Sequence, residues 1–258
     1  MRRNYLSKEI VKTSYLNKEG HIASALSILD VVYYLFENKI SSNDKFILSK
    51  GHGCLALYAC LMEKGYITRS DFYSFTQFDS KLGGHPSSSK LPTVCLSTGS
   101  LGHGPPVAAG LALAKKIKGE TGFVYCLIGD GEANEGTIWE TALLASTYNL
   151  NNLILIMDNN KSGERAIRIG SCREKFAAFG WEAHSIENGH SLPNINFIFN
   201  EIKYTKPCFI ELNTIKGKGC VLMENNPEWH HKHPSNENEL DKILTGIDEY
   251  EEKVLQLS

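Results

Sequence analysis

The sequence lacks the features of several protein classes. Its 258 residues contain no apolar run long enough to cross a bilayer and no basic run, and the net charge is −2. Neither a membrane nor a nucleic acid is therefore an expected partner. No apolar stretch follows the N-terminal arginines, so we expect no signal peptide and a cytoplasmic protein. No linker-like composition interrupts the chain, which predicts a single domain over residues 1–258.

Paired cysteines are also missing. The seven cysteines are odd in number and form no CxxC pair, which argues against a disulfide framework or a cysteine metal site. We expect reduced, structural thiols, as in cytoplasmic proteins. The cysteines are Cys54, Cys60, Cys95, Cys126, Cys172, Cys208 and Cys220.

What the sequence does contain is an alternation of apolar strands and helices. The apolar runs GFVYCLIG and NLILIMD have strand length, and TIWETALLASTYN between them has helical length and spacing. The segments GWEAHSI and PCFIELNTI continue the pattern as later strands, and residues 238–256 form a C-terminal helix. Earlier helices are predicted over residues 8–16 and 24–37 and within the segments GHGCLALYACLMEKG, TRSDFYSF and GHGPPVAAGLALAKKIKG. Fully apolar strands alternating with helices predict an α/β fold, with an open, doubly wound, mostly parallel sheet and helices on both faces.

Asp130 stands at the end of a predicted strand, between Gly129 and Gly131. Asn160 follows Asp130 by thirty residues, the length of one strand–helix–strand unit, so both side chains should reach the same edge of the sheet. A carboxylate and an amide oxygen suit Mg²⁺, for which Ca²⁺ could substitute. Glycines there would let a diphosphate approach the backbone. The alternative is a tight turn in which Asp130 only caps a helix.

Four histidines occupy similar loops. His21, His52 and His85 directly follow glycine, and His230 lies in the segment EWHHKHP. Imidazoles in such loops can donate to an oxyanion and move protons near neutral pH, which suits carbonyl chemistry. A zinc site at His230 and its neighbours His231 and His233 is the alternative.

These motifs together resemble a known family. The segment GDGEANEG…MDNN resembles the thiamine-diphosphate-binding motif, and the chain resembles the N-terminal, diphosphate-binding half of a transketolase. The resemblance runs from EGHIASALSILDVVYYLF to ENNPEWHHKHP and includes LSKGHGCLALYACL, FDSKLGGHPSSSKLP and STGSLGHG. Several motifs in the expected order support it.

The resemblance implies thiamine diphosphate as cofactor and roles for particular residues. The metal would be bound by Asp130, Asn160 and a backbone carbonyl near Ser162. His21 and His85 would contact substrate hydroxyls, and Glu135 would connect paired active sites. The implied catalytic residues are His21, His52, His85, His230 and Glu135. The implied cofactor-binding residues are His52, Gly99, Ser100, Leu101, Gly129, Asp130, Gly131, Glu132, Asn160 and His230.

The sequence departs from the family near the reacting centre. The usual Gly-His-Pro is Gly-His-Ile at His21, glutamine is commoner than His103, and Pro105 and Pro106 are unusual. These departures bear on which sugar is used rather than on the cofactor.

In this family a glutamate from a second, pyrimidine-binding domain activates the cofactor, and 258 residues leave no room for that domain. The resemblance therefore implies the N-terminal subunit of a split transketolase, which moves a two-carbon ketol unit between sugars or sugar phosphates. Its partner would be a C-terminal pyrimidine-binding subunit in an α2β2 heterotetramer. The alternatives are an inactive fragment or homologue, a subunit of a 2-oxo acid dehydrogenase or decarboxylase, and a non-catalytic cofactor-binding subunit.

Overall fold

The structure is a computed structural model that describes residues 2–257, with only the backbone described at 251 and 253–257. Met1 and Ser258, the ends of the predicted domain, lie outside the described residues. The strands of the described chain are β1 (Lys45–Leu48), β2 (Val124–Gly129), β3 (Leu153–Asn159), β4 (Glu182–Ile186) and β5 (Cys208–Asn213). Its α-helices are α1 (Arg2–Asn17), α2 (Ile22–Asn38), α3 (Cys54–Glu63), α4 (Arg69–Tyr73), α5 (Gly104–Lys118), α6 (Gly136–Thr147), α7 (Cys172–Ala178), α8 (Leu192–Glu201) and α9 (Glu237–Leu257).

The five strands form one parallel sheet in the order β1-β2-β3-β5-β4. β2 is buried along its whole length, as expected for a parallel strand covered on both faces. Its side chains alternate between two buried clusters. Tyr125 and Leu127 belong to one with residues of α1, α2, α3 and α8, whereas Val124, Cys126 and Ile128 belong to the other with residues of α5, α6 and α7. The predicted α/β fold, with a parallel sheet between two helical layers, is confirmed.

The sequence-based elements differ from the observed ones mainly at their ends. The first helix begins at Arg2 instead of residue 8, because buried residues such as Leu6 extend its packed face. β1, α7 and α8 were not predicted. β1 has only four residues, too few for a clear periodic pattern.

The sheet aligns the ends of its two central strands. β2 and β3 pair directly, and Gly129 lies opposite Asp158 in the register. The Asp130 N–H donates to the Asp158 carbonyl across 3.1 Å. Parallel strands end at the same edge, so the residues following β2 and β3 meet there, as the thirty-residue spacing predicts. Among the described residues, no helix combines the length and apolar character needed to cross a membrane.

Candidate functional site at the carboxyl edge of the sheet

Asp130 leaves the end of β2 and reaches the loop that follows β3. Its two carboxylate oxygens accept hydrogen bonds from the N–H groups of Gly131 (2.8 Å) and Gly163 (2.9 Å). A Cβ on Gly163 would lie 2.6 Å from the Gly131 Cα, so only glycine permits this close approach. Burial raises the pKa of Asp130, because desolvation disfavours the charged form of a carboxylate.

Asn160 is buried at the start of that loop. Its Nδ2 donates to Asp158 Oδ2 (2.9 Å) and to Ser27 Oγ (3.2 Å), while its Oδ1 accepts from the Ser162 N–H (3.1 Å). The amide is therefore oriented, with its oxygen on the side of the 160–163 loop that also contacts Asp130. Oxygen donors from both strand ends are thus brought together, and they are of the type that Mg²⁺ or Ca²⁺ prefers.

Asp158 is the centre of the buried network beneath this edge. It is fully buried, accepts hydrogen bonds from Ser27 (2.7 Å) and Thr214, and forms an ion pair with the buried Lys50. Burial alone would raise its pKa, but the Lys50 charge and the hydrogen bonds outweigh burial and lower it. Asp158 is therefore ionised and holds the Asn160 amide in one orientation. The sequence analysis missed both Lys50 and Asp158, although each lies inside a motif that it quoted.

The glycines beside Asp130 are not required by the protein's own packing. A Cβ on Gly129 would lie 3.7 Å from the Lys50 side chain, and one on Gly131 would lie 3.7 Å from the Gly163 Cα, both ordinary contacts. Gly131 has φ −63°, which any residue adopts. Because the protein itself would tolerate a Cβ at both positions, the glycines fit a ligand that approaches this backbone closely.

Glu132 joins two of the predicted cofactor-binding loops from beneath. Its buried carboxylate accepts hydrogen bonds from the N–H groups of Gly102 (2.9 Å) and Gly129 (3.2 Å) and from Ser49. Burial raises its pKa. The structure therefore gives Glu132 a role in holding the Gly102 and Gly129 loops together, and Glu132 offers no free oxygen at the surface of the cleft.

The 99–101 loop lies between the histidines and Glu135. A Cβ on Gly99, which has φ +154°, would lie 3.4 Å from the His85 ring, and one on Gly102 would lie 2.7 Å from the Glu135 Cβ. Ser100 and Glu135 are exposed and Leu101 is half-buried. The structure places these residues beside the site but tests none of their predicted roles.

The four predicted histidines converge. The His21 ring centroid lies 5.5 Å from that of His52, 5.6 Å from His230 and 6.5 Å from His85. His231, which the sequence analysis considered only as a zinc ligand, stacks on His21 with centroids 4.4 Å apart. We call these five residues the histidine cluster. They come from four separate loops, so only the fold unites them.

The surroundings of His21, His52, His85 and His230 favour their neutral forms. Burial, followed by the nearby Lys50, lowers the pKa of His52 to about 2. Burial and then the neighbouring imidazoles lower the pKa of His21 to about 4. Burial also lowers the pKa of His85 and His230. A neutral imidazole donates one hydrogen bond and accepts another, and contacts with the hydroxyls of a polyol require both.

Lys216 connects the cluster to the carboxyl edge. Its Nζ lies 3.0 Å from His230 Nδ1, and burial, with the Lys50 charge second, lowers its pKa to about 8. A cleft of about 540 Å³ opens here. Cationic and amide side chains dominate its lining, a composition that favours an anion. The lining residues are Asn160, Lys161, Ser162, Arg165, Thr214, Lys216, Asn225, Asn226, Pro227 and His230.

The zinc alternative gains no support. Within residues 2–257, no group of three or more His, Cys, Asp or Glu side chains is arranged to hold a metal ion. Of the three histidines considered, His231 contacts Glu19 and His233 contacts the Pro234 carbonyl. All seven cysteines are free, and six are buried, in agreement with structural thiols.

Comparison with known proteins assigns a family to this arrangement. Residues 5–252 match the family model described as "Transketolase, thiamine diphosphate binding domain". The chain is 37% identical to two proteins that are each named as one subunit of an apulose-4-phosphate transketolase. The match covers 97% of the chain and 90% of the relative from Phocaeicola vulgatus, and 91% and 88%, respectively, for Actinobacillus succinogenes.

Full-length transketolases match over a part of their length. The human enzyme is 34% identical, with 88% of the chain and 38% of the relative covered. The crystal structure of transketolase from Campylobacter jejuni superposes with a TM-score of 0.85 and 30% identity, covering 95% of the chain and 41% of that protein. The chain thus spans about two fifths of these longer proteins.

Proposed function

The chain belongs to the transketolase family, through its thiamine-diphosphate-binding domain, and from that premise we propose that it is the N-terminal subunit of a split transketolase. It would transfer a two-carbon ketol unit between sugars with thiamine diphosphate and a divalent cation. The observation that carries this proposal is the convergence of two strand ends, the glycines beside Asp130 and five histidines at one edge of the sheet.

The cation would be held by Asp130, Asn160 and a backbone carbonyl near Ser162. Two features support this set. Asp130 is a half-buried carboxylate whose partners are backbone N–H groups, and Asn160 is oriented by Asp158. The hydrogen bond from the Ser162 N–H to Asn160 Oδ1 would give way when the amide oxygen binds the cation. Oxygen donors and diphosphate together suit Mg²⁺, with Ca²⁺ as substitute.

Thiamine diphosphate, when bound, supplies the electron sink that amino acid side chains lack. The chain's own residues would bind and orient. The Gly131 backbone, His52 and His230 would face the diphosphate, and the 99–101 loop would face the rings. Lys216, beside His230, adds positive charge for the diphosphate.

The histidines would act on the sugar. His21 and His85 lie at the open side of the cluster, and His85 is exposed. Because burial lowers the pKa of both rings, neutral imidazoles would donate hydrogen bonds to hydroxyl and carbonyl oxygens and accept protons from them. This supports transfer between polyhydroxylated substrates over chemistry on 2-oxo acids.

A partner subunit would complete the site. Two relatives are named as one subunit of a transketolase, and the chain spans 38% of the human enzyme. A pyrimidine-binding subunit would supply the remaining groups in an α2β2 assembly, in which the exposed Glu135 would connect paired sites. We treat residues 1–258 as one diphosphate-binding domain with the helical extension α9.

The proposal is tested by reconstitution. The purified chain with thiamine diphosphate and Mg²⁺ should transfer no ketol unit, and addition of the pyrimidine-binding subunit should restore transfer from a ketose phosphate to an aldose. Apulose 4-phosphate, the sugar in the relatives' names, belongs in the donor panel. Turnover by the single chain, or turnover of 2-oxo acids alone by the assembly, would contradict the proposal.

A non-catalytic cofactor-binding role is the second candidate. His85→Ala separates the two, because His85 is an exposed member of the histidine cluster and has no hydrogen bond to the carboxyl-edge network among the described residues. A catalytic subunit should lose about 100-fold or more in kcat/KM, the usual scale of proton-transfer catalysis, while cofactor affinity in calorimetry stays unchanged. Full activity of the His85→Ala assembly would favour the non-catalytic role for this histidine set.

A further inference from the structure

Two loops that are far apart in the chain are fastened together beside His21. His231 Nε2 lies 2.5 Å from Glu19 Oε1, and the His231 ring stacks on that of His21 at an interplanar angle of 22°. An isolated backbone bridge also pairs His21 with Lys232. The loops that contain His21 and His230 are therefore joined by a side-chain hydrogen bond, a ring stack and the backbone.

The Glu19 side of this contact is firmly held. The Glu19 carbonyl accepts from Ser14 Oγ (2.6 Å), and its carboxylate accepts the Gly20 N–H (2.9 Å). Gly20 has φ +130°, and a Cβ there would lie 2.8 Å from the Leu55 side chain. Glu19 is thus presented by a backbone conformation that only glycine permits, so its carboxylate is a fixed anchor for the opposite loop.

The other loop is held on either side of His231. Lys232 pairs with Glu239 on α9, and His230 lies 3.0 Å from Lys216 Nζ. His231 itself is half-exposed at its side chain, and its contacts with Glu19 and His21 are what join its ring to the opposite loop. These contacts help to set the position of His230 relative to His21, 5.6 Å between ring centroids.

We propose that Glu19 and His231 form a clasp that positions His21 and His230 for the sugar substrate. The clasp spans the loops, its hydrogen bond fixes the His231 ring, and the ring supports one face of His21. Glu19 and His231 are positioning residues, and the inference rests on the function proposed above. It goes beyond that function because neither residue was among the predicted site residues.

Histidine NMR of the single chain tests the geometry without partner or sugar. The Cε1–Hε1 cross-peak of His21, assigned by its loss in His21→Ala, should move in Glu19→Ala even though no ring has been removed, because His231 leaves its stacked position. It should stay near the wild-type position in Glu19→Gln, which keeps a hydrogen-bond acceptor. His233→Ala is the matched control, since His233 contacts the Pro234 carbonyl instead of the cluster. An unmoved peak in Glu19→Ala would overturn the clasp.

Kinetics of the assembled enzyme tests the consequence. Glu19→Ala and His231→Ala should each raise the KM for the ketose phosphate about tenfold, the scale of one lost hydrogen bond. Cofactor affinity and the urea midpoint should remain unchanged, because both side chains are exposed and neither contacts Asp130 or Asn160. The double variant should be no worse than either single one, because each change removes the same interaction.

Two outcomes would overturn the positioning role. One is a KM increase in the double variant that equals the product of the two single increases, and the other is a KM within about twofold of wild type in Glu19→Ala. If the wild-type assembly transferred no ketol unit at all, the proposed function would fail, and the cross-peak of His21 would still decide whether the clasp exists.

Discussion

The carboxyl-edge network and the histidine cluster both contain buried ionisable groups, but these groups are charged in the first and neutral in the second. On the carboxyl-edge side, Asp158 stays ionised because the ion pair with Lys50 and its hydrogen bonds lower its pKa despite burial. In the histidine cluster, burial and mutual repulsion hold His21 and His52 neutral. A charged, rigid floor suits a cation and a diphosphate, whereas neutral rings suit hydroxyls. In the function proposed above, the charged side would hold the cation, whereas His21 and His85 on the neutral side would contact the sugar.

The largest effect is expected from Asp130→Asn, which removes the carboxylate proposed to bind the cation. The amide cannot supply the negative charge, so we expect Mg²⁺-dependent uptake of thiamine diphosphate to fall by more than about 100-fold, beyond the usual effect of an outer-shell change. Calorimetry of the assembled protein measures this, with the exposed Asp79→Asn as control. Cofactor affinity equal to wild type would remove Asp130 from the cation site.

Asp158→Asn should act less directly on binding and more on stability. We expect Mg²⁺ affinity to fall about 10–100-fold, because the Asn160 amide loses its fixed acceptor. We expect the free energy of unfolding to fall by about 3–5 kcal/mol, because Lys50 is left buried without its partner. Magnesium titration and urea unfolding measure the two effects.

The double variant Lys50→Met/Asp158→Leu separates the effect of Asp158 on stability from its effect on metal binding. Replacing both charges by apolar groups should recover much of the lost stability, since a buried pair contributes little net free energy over hydrophobic packing. Metal affinity should stay low, because Asn160 is still unheld. Recovery of both properties together would mean that Asp158 serves only the fold.

The smallest effect is expected in the pH dependence of stability, to which His52 of the histidine cluster contributes. The pKa of His52 is about 2 in the folded protein and near its ordinary value when unfolded, so the unfolded chain takes up a proton below about pH 6.5 that the folded chain does not. Stability should therefore fall as the pH drops from about 6.5 towards 4.

His52→Gln should flatten this fall by up to about 1.4 kcal/mol per pH unit, the effect of one proton. Urea unfolding at several pH values measures the slope, and the exposed His103→Gln is the control. An unchanged slope in His52→Gln would show that this ring titrates in the folded protein as it does in the unfolded one.

The repeating elements of the fold were accessible from the sequence because their signals are local. The apolar runs of β2 and β3, the helix between them and the Gly-Asp-Gly at the strand end need only periodicity and turn chemistry to be recognised. The spacing from Asp130 to Asn160 was sufficient to predict a shared edge, since a strand–helix–strand unit in a parallel sheet has one geometry.

The network around Asp158 was not accessible in the same way. The aspartate stands in MDNN and the lysine in LSKGHG, but 108 residues separate them, and no local signal says that their side chains meet. Glu132 was predicted as a cofactor-binding residue, but its hydrogen bonds to the Gly102 and Gly129 loops could not be read from the sequence. Short elements such as β1 were missed for a related reason, because four residues carry too little pattern.

The sequence by itself determined the α/β class, the position of Asp130 and Asn160 at strand ends, and the glycine-linked loops of the histidines. Only the tertiary structure decided that Lys50 pairs with Asp158, that His231 stacks on His21, and that Glu19 holds it. The physical reason is that strands and turns follow from interactions between neighbours in the chain. Charge pairing, ring stacking and pKa depend on which distant groups are buried together.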